Sequence, residues 1–139
     1  AANATNGTIL QPGEQFSFNG TTGNTTNGSN GYLPATAISG GEFIQEYGGG
    51  ICQVSSTIYG AALRSNMTIV TRYNHTYPSS YVPIGLDATV SYGSLDFVFR
   101  NDTDYPVYIA AGMDGHIAKP IQVDNMLSIL AEIIRQQEK

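Results

Sequence analysis

The stretch that decides the fold spans residues 48–65 and reads Gly-Gly-Gly-Ile-Cys-Gln-Val-Ser-Ser-Thr-Ile-Tyr-Gly-Ala-Ala-Leu-Arg-Ser. Ile51, Val54 and Ile58 recur at helical spacing, and Ala61 or Ala62 continues the same apolar face. The pattern predicts a helix over residues 51–65. A neighbouring face carries Cys52, Ser55, Ser56, Tyr59 and Leu63. Serine and β-branched residues are poor formers of isolated helices, so packing against the rest of the protein must stabilise this one.

Cys52 is the only cysteine of the chain, and three glycines precede it at the predicted helix start. Composition alone favours a buried, inert thiol. The position favours a nucleophile instead, because a helix N-terminus stabilises a thiolate and its free N–H groups can receive an oxyanion. Gly49 and Gly50 would let a substrate backbone approach closely. Gln53 and Ser55, beside the thiol on the same helix, are further candidates for substrate binding.

A cysteine nucleophile needs a base, and the chain has two histidines, His75 and His116. We prefer His75, which follows a predicted strand and enters a loop restrained by prolines; a surface turn histidine is the alternative. Asp87 and Asp96 are both candidates to orient the imidazole. Asp87 stands at a strand entrance, whereas Asp96 lies within an apolar strand where a carboxylate needs a partner. Spacing does not choose between them.

Two further residues near His75 are candidates for substrate binding. Arg72, three residues before it, would bind a substrate carboxylate, although an exposed strand arginine explains it equally well. Tyr81 belongs to a tyrosine-rich region that we interpret as the edge of the core and the wall of a groove.

The rest of the chain is typical of an α+β domain with a mainly antiparallel sheet around the Cys52 helix. Residues 33–47 predict a hairpin with a Gly-Gly turn, and residues 15–18 predict a short strand. Four more strands are predicted, and the last two are expected to pair as antiparallel neighbours across a turn at 101–104; the four cover 68–72, 88–92, 95–100 and 106–111.

The tail changes character after residue 118. Apolar residues at helical spacing follow Asp124, a reasonable N-cap, and predict a C-terminal amphipathic helix. We therefore divide the chain into a domain at 1–118 and a helix or linker at 119–139. This helix would dock on the domain, contact another protomer, or lead into another module.

Composition excludes several functions. The chain has 139 residues, enough for one domain, with a formal net charge of −5 and no basic cluster, which disfavours nucleic-acid binding. It has no apolar run near the roughly 18 residues of a membrane span. One cysteine and two unpaired histidines make no zinc site, no phosphate-binding loop is present, and we expect no cofactor. Because the chain starts at Ala1 without a signal peptide, we interpret it as a mature fragment or excised domain.

The string at residues 48–59 closely resembles the signature of the VanW family. Other segments are similar to the same family over about residues 5–117: Asn6-Gly7-Thr8, Pro12-Gly13-Glu14-Gln15-Phe16-Ser17-Phe18, His75, Tyr81-Val82-Pro83, and residues 87–97. The family was named from glycopeptide-resistance clusters of Gram-positive bacteria. Some VanW-domain proteins are understood to act as L,D-transpeptidases that use the domain's cysteine. The chain lacks the motif of the better-known L,D-transpeptidase family, so that fold is not expected.

The resemblance implies Cys52 as nucleophile, suggests His75 as its base, and leaves the roles of Asp87 and Asp96 open. It implies an extracytoplasmic protein at the cell surface or wall of a Gram-positive bacterium, acting on peptidoglycan stem peptides. The resulting hypothesis is a cysteine L,D-transpeptidase that forms 3–3 crosslinks, or a carboxypeptidase if water resolves the thioester. The alternative is a non-catalytic wall-binding or resistance-accessory module with an inert Cys52.

Overall fold

The computed structural model of the protein describes residues 1–39 and 41–111. The elements follow in chain order: α1 (Ala2–Thr5), β1 (Thr8–Leu10), β2 (Gln15–Ser17), α2 (Phe18–Thr22), a 3₁₀ turn (Gly28–Asn30), β3 (Pro34–Ser39), β4 (Glu42–Tyr47), α3 (Ile51–Arg64), β5 (Thr68–Thr71), β6 (Val98–Arg100) and β7 (Val107–Ile109). The predicted hairpin, the short strand near residue 15 and the helix from residue 51 are all confirmed.

The strands form three small antiparallel sheets. Strand β1 pairs with β7, β6 lies between β2 and β5, and β3 pairs with β4 as a hairpin. The α+β class with antiparallel strands and a central helix that contains Cys52 is therefore confirmed, while the strands divide into three sheets instead of one.

A phenylalanine cluster joins α3 to the three-stranded sheet. The rings of Phe16, Phe97 and Phe99 lie with centroids 5.2–6.4 Å apart, and all three are almost fully buried. Tyr59 of α3 packs edge-on against Phe97 at 5.6 Å. Ile58, on the predicted apolar face, is 1% exposed. Burial of this surface supplies the packing that a serine-rich helix needs.

The glycines before α3 allow the β3–β4 hairpin to lie close to the start of the helix. A Cβ at Gly49 would lie 2.3 Å from the carbonyl oxygen of Ala35 in β3, a distance no side chain tolerates. The backbone that approaches Gly49 so closely is thus the chain's own. Gly50 precedes the helix with a φ of 88°, in the left-handed region that favours glycine, and has open space around it.

The predicted strand at 88–92 is wrong. Ser91 makes only an isolated bridge to Leu95, and residues 86–90 join no sheet. Their backbone groups bond elsewhere: Ala88 N–H donates to Ser56 Oγ (2.8 Å), and Ala88 C=O accepts from Ser55 Oγ (2.6 Å). Buried and more exposed side chains do alternate here, as the strand prediction assumed. The hydrogen bonds that a neighbouring strand would make to Ala88 are made instead by serine side chains of α3.

The predicted pairing of the last two strands is also wrong, because β6 and β7 belong to different sheets. Asn101, fully buried, explains the change of direction. Its side-chain amide donates to Leu10 C=O (2.9 Å) and Tyr105 C=O (2.8 Å), and its Oδ1 accepts from Thr103 N–H. These bonds direct the chain away from β6 and towards β1.

The predicted helix at 119–139 and His116 lie outside the described residues. Within 1–39 and 41–111, no helix is long and apolar enough to cross a membrane.

Candidate active site

Cys52 is the second residue of α3, and its sulfur faces the segment at residues 88–90. The backbone N–H of Val90 donates to Sγ at 3.4 Å, and Thr89 Oγ1 lies 3.6 Å away. The carbonyl oxygen of Val90, at 3.5 Å, accepts a bond from the thiol form. Because Ser55 and Ser56 hold Ala88, the helix that carries the thiol also fixes the donors that surround it.

The Cys52 thiol and the His75 imidazole lie close enough to shift each other's pKa. Burial raises the pKa of the Cys52 thiol, but His75, the Val90 N–H and the Thr89 hydroxyl together outweigh burial, and the pKa lies below its ordinary value. Cys52 raises the pKa of His75, burial opposes this, and Asp87 raises the pKa further, so the net pKa lies above the ordinary value. Both shifts favour a thiolate facing an imidazolium.

Asp87 holds the imidazole from the other side. Its Oδ2 lies 2.6 Å from His75 Nδ1 and also accepts the backbone N–H of His75 at 2.6 Å. Burial raises the pKa of Asp87, but these bonds to His75 outweigh it and hold the pKa below its ordinary value. With Nδ1 directed at the carboxylate, Nε2 is the nitrogen left for the thiol. The structure therefore brings Asp87 and His75 together next to Cys52.

Asp96, the other candidate, is not part of this group. It accepts bonds from Ser17 Oγ (2.5 Å) and from the backbone N–H groups of Asn19 (2.9 Å) and Phe97 (2.8 Å). The Asp96 carboxylate thus has the hydrogen-bond partners that a buried carboxylate needs, and they lie at the start of α2, away from His75.

Tyr81 lies against the imidazole. Its hydroxyl is 3.4 Å from His75 Nε2, and the two rings meet edge-on with centroids 6.2 Å apart. Burial raises the pKa of Tyr81, so the hydroxyl stays protonated at neutral pH. Ser79 Oγ lies 3.1 Å from Nδ1. Tyr81 therefore forms a wall of the site, and Ser79 is a contact that sequence reasoning missed.

The other predicted substrate-binding residues divide into two kinds. Ser55 is fully buried and bonds to Ala88, which gives it a structural task. Gln53 instead has a buried side-chain nitrogen, Nε2, with no hydrogen-bond partner among the described residues. At the helix start, the N–H groups of Ile51 and Gln53 bond to Gly48 C=O and Gly50 C=O, both at 3.2 Å. Those two N–H groups are not free to receive an oxyanion in this conformation.

Arg72 directs its guanidinium inward, to Asp87 and to the ring of Tyr59. No pattern in the sequence indicated these partners, nor the donors Thr89 and Val90, because each contact depends on where the segment at residues 88–90 crosses α3.

A cleft of about 350 Å³ opens beside His75 and Asp87. The proline-bearing loop forms most of its wall, with Pro78, Val82 and Pro83 supplying apolar surface. Cys52 is not among the residues that line the cleft, which therefore meets the candidate site on the side of His75 and Asp87. In the part of the chain that the structure describes, no group of three or more His, Cys, Asp or Glu side chains is arranged to hold a metal ion.

Comparison with known proteins adds family evidence. The family described as VanW like protein matches residues 1–120. The chain is 46% identical over 111 residues to the uncharacterized protein YoaR of Bacillus subtilis (strain 168), covering 80% of this chain and 36% of that protein. It is 33% identical over 119 residues to the vancomycin B-type resistance protein VanW of Enterococcus faecalis (strain ATCC 700802 / V583), covering 82% of this chain and 43% of that one. The chain spans less than half the length of these curated relatives. No solved structure matches it.

Proposed function

This chain belongs to the VanW family, and we propose that it is a cysteine-dependent L,D-transpeptidase acting on peptidoglycan stem peptides outside the cell. The observation that carries the proposal is the hydrogen bond between Asp87 Oδ2 and His75 Nδ1 at 2.6 Å, next to a cysteine whose sulfur accepts the Val90 N–H. The lowered pKa of Cys52 and the raised pKa of His75 agree with it. A nucleophile, a base and an orienting carboxylate are the parts that covalent acyl transfer requires.

In the first half of the reaction, the Cys52 thiolate attacks the carbonyl carbon between the third residue of a stem tetrapeptide and its terminal D-Ala. A tetrahedral oxyanion forms, and the donor that we propose for it is Nε2 of Gln53, the residue after Cys52, which has no partner among the described residues. The C–N bond then breaks, and the imidazolium of His75 gives its proton to the departing amine of D-Ala. A thioester remains on Cys52.

In the second half, an amine of a neighbouring stem attacks the thioester and gives its proton to His75. The C–S bond breaks, the thiolate returns, and a 3–3 crosslink results. If water attacks instead, the product is a shortened stem and the enzyme is a carboxypeptidase. Asp87 keeps Nδ1 protonated throughout, so that Nε2 carries the exchanging proton in both halves.

The choice of substrate class rests on the relatives. One relative is described as a vancomycin B-type resistance protein, and the resemblance to the VanW family implies peptidoglycan stem peptides as the substrate. The cleft beside His75 and the absence of a basic cluster in the sequence agree with a peptide substrate and disfavour a nucleic acid.

The test is incubation of the 139-residue chain with tetrapeptide-stem muropeptides, followed by mass spectrometry of the products. We expect loss of the terminal residue or a 3–3 dimer, and neither with Cys52→Ala. A matched control is Ser80→Ala, an exposed residue of the same loop as His75 that does not line the cleft, which should retain activity.

The opposite result is specific as well. If the muropeptides stay intact, Cys52 resists alkylation at about pH 6 to 7, and Cys52→Ala binds cell walls as the parent does, then the protein is a wall-binding or resistance-accessory module.

A further inference from the structure

Arg72, the residue after β5, is held at three points around Asp87. Its Nε donates to Asp87 C=O at 2.7 Å, and its Nη2 donates to Asp87 Oδ1 at 3.0 Å and to Gly85 C=O at 3.3 Å. The guanidinium carbon also lies 5.0 Å from the centre of the Tyr59 ring. The edge formed by Nε and Nη2 is the one with which arginine usually binds a carboxylate, and this edge already faces Asp87 and Gly85.

The two oxygens of Asp87 have different partners. Oδ1 accepts from Arg72, while Oδ2 accepts both the ring and the backbone of His75. Asp87 is 7% exposed, so solvent offers few competing donors. With both oxygens engaged, the carboxylate has one favourable rotation, and in that rotation Oδ2 points at the imidazole.

Tyr59 ties this arrangement to the core. The ring is buried, packs on Phe97, and belongs to the same helix as Cys52, seven residues further along. Helix α3 therefore carries the nucleophile at its first turn and, two turns later, the platform under Arg72. A buried aromatic face is a favourable place for a guanidinium.

We propose that Arg72 is a positioning residue for the reaction, which holds Asp87 so that His75 faces Cys52, and that it does not bind a substrate carboxylate. The inference takes only the type of reaction from the proposed function. The bonds from Arg72 to Asp87 would affect the Cys52–His75 pair in the same way with any acyl donor.

The consequence concerns the thiolate. Without Arg72, Oδ1 of Asp87 loses its charged donor and the carboxylate is free to rotate. The imidazole of His75 is then no longer held in its orientation towards the Cys52 sulfur. The titratable and charged groups around this pair are Arg72, Asp87, Tyr81 and Tyr59, and among them Arg72 alone is a permanent cation. Loss of the Arg72 cation and loss of the His75 orientation both disfavour the thiolate form of Cys52.

The experiment measures the rate of Cys52 alkylation by iodoacetamide from about pH 4 to about pH 10 in Arg72→Gln, Arg72→Lys and the unmodified chain. We expect Arg72→Gln to react about tenfold more slowly at about pH 6, a displacement of the profile of about one pH unit upward. Arg72→Lys should fall between the two, since an ammonium keeps the charge but not the planar hold. Arg100→Gln is the matched control, because it breaks an exposed arginine–aspartate pair with Asp102.

Activity on muropeptides separates positioning from substrate binding. A positioning role lowers kcat and leaves KM near its original value, whereas a carboxylate-binding role raises KM and leaves the alkylation profile unchanged. The proposal is overturned if folded Arg72→Gln alkylates with the parent profile. If Arg72→Gln does not fold, the same comparison with Arg72→Lys decides. A parent chain with a low-pH alkylation profile but no turnover would reject the transpeptidase function and leave this inference standing.

Discussion

The thiol of Cys52 is partly enclosed, and enclosure alone would keep it protonated. Three donors reverse this tendency: the imidazole of His75, the N–H of Val90 and the hydroxyl of Thr89. Two of them come from a segment that α3 itself holds in place. At the residue scale, the reactivity of the cysteine therefore depends on hydrogen bonds more than on the helix terminus, where two of the first N–H groups are already bonded.

The first prediction concerns the pH dependence of this thiol. Because the pKa of Cys52 is lowered, its alkylation rate should reach half its maximum at a lower pH than that of an ordinary cysteine. His75→Ala removes the largest of the lowering contributions, so the profile should move upward in pH. Thiolate content rises with pH, and thus the variant should be slowest relative to the parent on the acid side.

The control is Ser80→Ala, which should leave the profile unchanged. A His75→Ala protein that titrates like the parent would show that the imidazole does not act on the sulfur.

At the element scale, the polar face of α3 replaces a strand. Ser55 and Ser56 bond to the N–H and C=O of Ala88, and these are the groups that a neighbouring strand would otherwise satisfy. A serine pair in the middle of a helix is unfavourable by propensity, and this contact gives the physical reason for its presence.

Ser56→Ala should accordingly destabilise the fold. It leaves the buried N–H of Ala88 without an acceptor, for which we expect a loss of about 1–3 kcal/mol in the free energy of unfolding, measured by urea denaturation. Ser80→Ala, at an exposed serine, is the control and should change stability by less than about 0.5 kcal/mol. Equal stability of the two variants would mean that the Ser56–Ala88 bond contributes nothing.

The helix from residue 51 was predictable because it depends on a local signal, an apolar period. The proline-bearing loop was the local signal that favoured His75, whose role as a base stays a prediction. The choice between Asp87 and Asp96 was not predictable, since each stands in a similar strand-like pattern and only the tertiary structure separates them. The strand prediction at 88–92 was wrong for the same reason. Alternation of polar and apolar residues indicates which side chains are buried, but it does not indicate which groups form hydrogen bonds with the backbone. Arg72 was predicted to bind a substrate carboxylate. In the structure its guanidinium contacts Gly85 and Asp87, and it also lies over the ring of Tyr59 in α3.

For the whole molecule, no sheet in the described part of the chain is large enough to form a core alone. Side chains of α3, of the β1–β7 pair and of the three-stranded sheet share one buried cluster, whereas β4 is exposed along its length. Helix α3 also carries Cys52 and the side chains of Ser55 and Ser56 that hold Ala88. The family match covers residues 1–120, which include every residue of the candidate site. The division at residue 118, the location outside the cell and the partner of the tail stay predictions.

The most direct test is intact-protein mass spectrometry after brief mixing of the chain with a stem tetrapeptide. We predict a covalent adduct of the tripeptide acyl group on Cys52, formed with release of D-Ala, absent from Cys52→Ala and reduced by about a hundredfold or more in formation rate in His75→Ala. An unmodified Cys52 in a folded protein, with the tetrapeptide intact, would contradict the account.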